Sequence, residues 1–224
     1  MTVSAPIHSL DGRRARTRRA LIDGGLRLLA HRPIDAIAID DIVQEAGVAK
    51  GSFYNHFEDK DALSRAIAGE IRNRIETAVG EANTGVEDPA RRVARAVCVY
   101  IRHAITDRAR ASVLLRIHAH ALHPSAPLNR GILQDVSDGL LAGRFTVPTT
   151  EAGVLFIMGV AQLALARAVD EPNPAVTTML GQQLCAMLLH GLGLPTGEAD
   201  AIAAQAALSV IQQPLQAAGG VGAA

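Results

Sequence analysis

The sequence predicts an all-α fold, and three observations support this prediction. The 224 residues include no Trp, 2 Tyr and 4 Phe, so the apolar 49% of the chain is mostly aliphatic. An aliphatic core rich in Ala and Leu favours packed helices, because strands draw on aromatic and β-branched residues. Apolar residues also recur at helical spacing along most of the chain, whereas alternation with a period of two is nowhere sustained.

The first helix is predicted from Ile22, Gly25, Leu26 and Leu29, which fall at i, i+3, i+4 and i+7, and Pro33 ends it. Five arginines precede these positions between residues 13 and 19, with no acid among them. Such a run indicates either a solvated arm or the polar face of a helix.

A second, short helix is predicted over Ile39 to Ala46, and Gly47 stops it because glycine readily takes a left-handed conformation. A third runs from Lys50 to about Phe57, with Phe53 on its inner face. Two short helices around a glycine turn are typical of a helix-turn-helix, whose second helix enters the DNA major groove.

A longer fourth helix begins near Asp59, a good N-cap, and its apolar side chains recur every fourth residue to Val79. It is roughly 20 residues, or about 30 Å, long. The remaining helices are predicted over 89–106, 108–122, 128–144, 149–170, 175–192 and 197–213, and from residue 122 onward prolines separate them.

The architecture expected is therefore an N-terminal three-helix head joined by the long fourth helix to a helical bundle. The predicted segments are a flexible arm over 1–12, a helix-turn-helix head over 13–59, a helical effector-binding and dimerisation domain over 60–216, and a disordered tail over 217–224.

Charge is distributed unevenly, although 22 basic and 22 acidic side chains give a net charge of +0. Residues 1–120 hold 34 of the 44 charges. The charge-poor remainder must bury more surface, either in its own core or against another chain.

The segment Ile42 to Leu63, IVQEAGVAKGSFYNHFEDKDAL, resembles the TetR family of transcriptional repressors. The likeness covers about 50 residues, from the first helix to the start of the fourth. It implies a repressor that binds double-stranded DNA at a palindromic operator as a homodimer and is released by a small-molecule effector. The implied location is the bacterial cytoplasm, in association with the nucleoid.

The resemblance implies backbone or base-edge contacts for Lys50, Gly51, Tyr54 and His56, variable readout for Ser52 and Asn55, and a phosphate contact for Lys60. Together with the arginine run, the expected DNA-binding set is Arg13, Arg14, Arg16, Ile39, Lys50, Gly51, Ser52, Tyr54, Asn55, His56 and Lys60.

The chain departs from the family pattern at the helix caps and in the first helix. Ala38 and Ala49 replace capping Thr or Ser residues, and Pro33 replaces a Gly. Gly24 and Gly25 lie inside the first helix, at a cost of up to about 1 kcal/mol each relative to Ala. Together these departures predict a slightly looser head.

Two charge-poor helices, over 149–170 and 175–192, are the expected dimer interface, through Phe156, Leu163, Leu184 and Leu188. The middle helices are expected to enclose the effector pocket. Its candidate lining residues, each of which is alternatively a satisfied core side chain, are His103, Arg116, His120, Phe156 and Gln162.

No metal site or cofactor is expected. His118 and His120 point about 200° apart on a helix, so they cannot converge with His123 on one ion. Cys98 and Cys185 are expected to be buried free thiols. The uncharged run over 152–166 is shorter than the roughly 20 residues of a membrane span, so no membrane association is expected.

Enzyme motifs such as a nucleophile elbow, a P-loop or a dinucleotide-binding loop are absent from the sequence, so no enzymatic activity is expected. The alternative is an all-helical small-molecule-binding protein or enzyme with an incidental helix-turn-helix.

Overall fold

The computed structural model describes residues 8–117, 129–171 and 173–212, with side chains from residue 12 onward. Within these ranges every regular element is helical, as the sequence predicts. The ten α-helices of the described ranges are α1 His8–His31, α2 Ile39–Ala46, α3 Lys50–Tyr54, α4 Lys60–Ala82, α5 Pro89–Thr106, α6 Arg108–Ile117, α7 Arg130–Leu141, α8 Thr150–Asp170, α9 Pro174–Gly191 and α10 Thr196–Ala206. A short 3-10 turn, Ile34–Ala36, precedes α2, and a π-helical turn, Ala207–Ile211, follows α10.

Two of the boundaries predicted in the N-terminal head are wrong. Helix α1 begins at His8, so residues 8–12 are helical and do not belong to a flexible arm. Helix α3 ends at Tyr54, because the backbone after it turns before reaching Phe57. The remaining arm, the predicted end of the sixth helix and the C-terminal tail lie outside the described residues.

The chain forms two compact units. The head unit comprises the described part of residues 1–73 and 112–119, and the second unit that of residues 74–111 and 120–224. The predicted boundary at residue 60 is therefore too early, since α4 groups with the head as far as Asn73.

Buried aliphatic and aromatic side chains from α1 to α4 form the core of the head unit. Leu21 and Ile42 are fully buried, as are Phe53 and Leu63. Gly24 and Gly25 face this core at points of close approach. A Cβ on Gly24 would lie 3.0 Å from the backbone nitrogen of Ala46, and one on Gly25 would lie 2.9 Å from Cδ1 of Ile67.

These two glycines therefore permit close packing of α1, which offsets their low helix propensity. Ala38 has no capping side chain, but the Asp41 carboxylate accepts a hydrogen bond from the Ala38 amide at 3.2 Å. This is half of a capping box, and it satisfies one of the free amides at the start of α2.

Helix α5 is the central element of the second unit and packs against α7, α8, α9 and α10. Its first turn is capped by Asp88, whose side chain accepts from the Ala90 amide. Thr149 and Asn173 cap α8 and α9 in the same way. Cys98 and Cys185 are buried free cysteines in this core, as predicted.

Two ion-pair groups join the helices of the second unit. Arg92 of α5 contacts Asp135 and Asp138 of α7, each at 2.6 Å. Arg144, just after α7, contacts Asp88 at 3.1 Å and Glu198 of α10 at 2.8 Å. These pairs fix the ends of three helices relative to one another.

Candidate nucleic-acid interface

The turn between α2 and α3 positions the second helix of the predicted helix-turn-helix. Gly47 has φ +66° and ψ +34°, a left-handed conformation that glycine adopts without strain. Its amide donates to the Gln44 carbonyl at 3.1 Å, and the Val48 amide donates to the Val43 carbonyl at 3.0 Å. These bonds end α2 and redirect the chain into α3.

Helix α3 and the turn after it have one buried and one solvent-facing side. Phe53 and Phe57 are buried, with ring centroids 5.9 Å apart, and the prediction that they are core residues is confirmed. Tyr54 is 57% exposed, and Lys50, Gly51 and Asn55 are exposed as well. The outer face therefore presents hydrogen-bonding groups suited to phosphates and base edges.

Ser52 and His56 are half-buried at the edge of this face. Burial lowers the pKa of His56, and the nearby charges of Arg14 and Arg18 lower it further. At neutral pH this histidine is therefore uncharged, so it can offer both a donor and an acceptor to a base edge.

The arginine run lies on the exposed face of α1 rather than on an arm. Arg13, Arg14 and Arg16 are exposed, and the guanidinium of Arg18 lies 5.3 Å from the centroid of the Phe57 ring. This contact connects the basic face of α1 to the core beneath α3.

Lys60 does not extend toward solvent as a phosphate contact would. Its Nζ donates to the carbonyls of Ile37 at 2.8 Å and Ile34 at 3.1 Å. The side chain thus holds the 3-10 turn, and the prediction that it contacts DNA is not supported. Ile39, also predicted to contact DNA, is half-buried at the start of α2.

Of the effector candidates that the structure describes, only His103 lines one of the described clefts. His103 lines an open cleft of about 300 Å³ in the second unit. Arg116 instead donates to the Leu29 carbonyl at 2.8 Å within the head unit. Phe156 is exposed on α8, and Gln162 is half-buried on the same helix, away from the cleft lining. His120 lies outside the described residues, as do His118 and His123.

Helices α8 and α9 carry exposed apolar side chains, here called the α8–α9 apolar face: Leu155, Phe156, Leu163, Met179 and Met187. Two of the predicted interface residues, Phe156 and Leu163, belong to it. Leu188 does not, because its side chain is only 1% exposed and packs within the chain itself. Leu184 is half-buried.

By length and composition, α8 is able to cross a membrane. The sequence prediction considered only the uncharged run over 152–166, which is shorter than the whole helix. One such helix is weak grounds for a membrane protein, because core and interface helices of soluble proteins can be equally apolar. Both α8 and α9 carry exposed apolar side chains, which fits a protein interface.

The left-handed turn, the buried Phe pair and the polar outer face of α3 together define a helix-turn-helix DNA-binding protein. Residues 21–67 match the family of bacterial regulatory proteins of the tetR type, and residues 88–205 match the tetracyclin repressor-like C-terminal domain. The chain belongs to the TetR family of transcriptional repressors.

Curated relatives match the head. The chain is 43% identical over 49 residues to the transcriptional regulator YwcC of Bacillus subtilis, 22% of each chain. It is 33% identical over 66 residues to the repressor DhaR of Mycobacterium sp., 30% of this chain and 33% of DhaR. The matched segments thus span only about a fifth to a third of these relatives.

Solved structures match most of the chain. RolR in complex with resorcinol is 26% identical, with a TM-score of 0.61 over 87% of this chain and 96% of RolR. A gamma-butyrolactone receptor is 17% identical, with a TM-score of 0.57 over 87% of this chain and 97% of the receptor, and shows the shared fold alone.

Proposed function

We propose that this chain is a ligand-responsive repressor that binds a palindromic operator as a homodimer and is released by a small-molecule effector. The observation that carries the proposal is the exposed polar face of α3, set by the Gly47 turn on a buried Phe53–Phe57 base. Its site of action is the bacterial nucleoid.

In this proposal the outer face of α3 reads the major groove. Lys50 and the Gly51 backbone approach phosphates, while Tyr54, Asn55 and His56 contact phosphates or base edges, with Ser52 at the margin. The exposed arginines of α1, Arg13, Arg14 and Arg16, add sequence-independent attraction to the DNA backbone. A chain with no net charge can bind DNA in this way because five arginines are clustered between residues 13 and 19, with no acid among them.

The proposal of a homodimer depends on the small number of base pairs that one recognition helix can contact. A single helix-turn-helix covers a few base pairs, so a palindromic site is read by two heads about 34 Å apart or a multiple of that. The α8–α9 apolar face is the proposed dimer contact, since several large apolar side chains exposed on two neighbouring helices are typical of an interaction site.

The second unit is the proposed effector-binding unit. RolR, to which the chain is similar over most of its length, has been solved with resorcinol bound. An effector can release DNA only if it binds the DNA-free state more tightly than the DNA-bound state. Helix α4 runs from the head unit into the second unit and provides a continuous element through which the two states can differ.

A gel shift with DNA flanking the chain's own gene tests the proposal. We expect sequence-specific binding that weakens steeply with salt. Tyr54→Phe, which removes only the exposed hydroxyl, should reduce the affinity by about three- to tenfold. Tyr100→Phe is the matched control, because its hydroxyl donates to Glu76 in the second unit at 2.9 Å.

The absence of binding at low salt would instead support a ligand-binding protein or enzyme with an incidental helix-turn-helix. Equal affinities for the Tyr54 variant and the parent protein would show that α3 is not the reading helix as described.

A further inference from the structure

The cleft that contains His103 is built from three consecutive helices of the second unit. Its volume is about 300 Å³, and its lining comes from the second half of α4, the last turns of α5 and the start of α6. Ile75, Ala78 and Val99 supply an apolar part of this lining. The volume suits a small organic molecule rather than a bare inorganic ion, and the edges of these apolar side chains form the smaller part of its surface.

The rest of the lining is predominantly cationic. Arg74, Arg102 and Arg110 all line the cleft, against the single carboxylate of Asp107. Arg110 is paired with that carboxylate. Arg102 makes one long hydrogen bond, 3.4 Å, to the Val210 carbonyl. Arg74 has no ion pair within the described part of the chain, so the cleft retains an excess of positive charge.

His103 contributes a buried polar atom without a partner. Its Nε2 has no hydrogen-bond partner among the described residues. A buried polar atom of this kind costs free energy unless a ligand, ion or water satisfies it. Its position in the lining of a cationic cleft makes an anionic ligand the fitting partner.

We infer that this cleft binds a small organic carboxylate, with the carboxylate held by Arg74 and Arg102 and the apolar body placed against Ile75, Ala78 and Val99. The inference rests on the proposed function, because it names the chemical class of the effector. Arginine suits this ligand, since its planar guanidinium can donate two parallel hydrogen bonds to a carboxylate.

His103 adds a pH dependence to the site. Burial lowers the pKa of His103, the charges of Arg110 and Arg74 lower it further, and Asp107 opposes them. The group is therefore neutral at pH 7.5 and gains a proton only as the pH falls below the ordinary value of 6.5. Protonation adds a positive charge and an N–H donor, so a bound carboxylate should raise this pKa and bind more tightly at lower pH.

Isothermal titration calorimetry of the full chain tests the inference with benzoate, phenylacetate and hexanoate as probes. At least one should bind, whereas the neutral benzamide should bind about tenfold more weakly or not at all. Arg74→Gln and Arg102→Gln should each weaken carboxylate binding by about tenfold. Arg130→Gln is the matched control, since Arg130 is exposed at the start of α7 and is not part of the cleft.

A second measurement isolates His103. The affinity of the parent chain for the bound carboxylate should rise between pH 7.5 and pH 5.5, and His103→Gln should flatten this dependence while leaving the effect of Arg74→Gln intact. A merely structural histidine would not affect the pH profile.

Three outcomes would overturn the inference: no probe carboxylate binds, both cleft arginine variants bind like Arg130→Gln, or inorganic phosphate binds as tightly as the best carboxylate. A gel shift without added ligand separates this failure from that of the proposed function. If the chain binds its operator but no carboxylate, the carboxylate site is wrong. If a carboxylate binds in an arginine-dependent manner but no operator does, the regulator is wrong and the binding site stands.

Discussion

The ammonium of Lys50 lies 2.8 Å from Oδ1 of Asp40, so the first residue of α3 is ion-paired with α2. Both side chains are largely exposed. Hydrogen bonding to Asp40 and its negative charge raise the pKa of Lys50, which therefore remains fully charged. In the free protein, Lys50 thus forms an ion pair with Asp40, and a DNA phosphate would have to replace this carboxylate to contact the ammonium.

Asp40→Asn should increase operator affinity by about three- to tenfold at 0.1 M salt, because Lys50 no longer has to leave a carboxylate to reach a phosphate. The plot of log affinity against log salt should also become steeper. Asp35→Asn is the control, since Asp35 is an exposed acid with no ion pair among the described residues. If both variants raised the operator affinity equally, the effect would be due to the change in net charge and not to release of Lys50.

Lys60→Met should destabilise the protein by about 1–3 kcal/mol, because the carbonyls of Ile34 and Ile37 lose their donor. Urea denaturation measures this change. The salt dependence of operator binding should stay the same, whereas Lys50→Met should reduce its slope by about one. A reduced slope for the Lys60 variant would show instead that Lys60 contacts a DNA phosphate, as the family resemblance implies.

Gly24→Ala should destabilise the head, although alanine is the better helix former. The added Cβ would lie 3.0 Å from the backbone nitrogen of Ala46, and backbone cannot move aside as a side chain can. Overpacking of this kind costs about 1–3 kcal/mol, which exceeds the helix propensity gain of up to about 1 kcal/mol. Gly69→Ala, at a position with open space in α4, should gain stability instead. Thermal melting of the two variants in parallel shows whether each substitution raises or lowers the stability of the protein.

Leu163→Glu should convert the proposed dimer to monomers, because it places a charge on the α8–α9 apolar face, where Leu163 is 69% exposed. Leu141→Glu is the matched control, since Leu141 is equally apolar and 88% exposed but lies at the end of α7. Light scattering coupled to size exclusion gives the mass. A dimer that survives the Leu163 change would place the interface elsewhere.

Most of the fold was predictable because helical periodicity and proline breaks are local signals. The start of α1 was not, since residues 11–19 are polar apart from Gly12 and Ala15 and carry no apolar period. The end of α3 was predicted too late because Phe57 is buried, as a residue on the inner face of the helix would be. In the structure it lies after a turn, and the four-residue spacing from Phe53 does not distinguish the two cases.

The outward face of α3 was predictable from its buried Phe pair. The hydrogen bonds of Lys60 were not predictable, because its acceptors lie more than twenty residues earlier in the chain. The interface residue Leu188 was misplaced for a different reason. Helix α9 is apolar on several sides, so its sequence does not distinguish the face that packs inward from the face that remains exposed.

Arg144→Met should destabilise the second unit by about 1–2 kcal/mol at pH 7, because Asp88 and Glu198 lose their shared partner. Burial alone would raise the pKa of Asp88, but hydrogen bonds from Arg144 and from the Ala90 amide outweigh it and leave the pKa below its usual 3.8.

A carboxyl group with a lowered folded-state pKa stabilises the protein above its unfolded-state value and loses this effect as the pH falls through the folded-state value. The difference in unfolding free energy between the parent chain and Arg144→Met should therefore be constant from pH 7 to about 5 and narrow below pH 4. Urea denaturation across this range measures the difference. Arg130→Met is the control, because Arg130 is exposed at the start of α7 and has no ion pair with another described residue. A gap that stays constant down to pH 3 would mean that Arg144 acts by packing rather than through the Asp88 carboxylate.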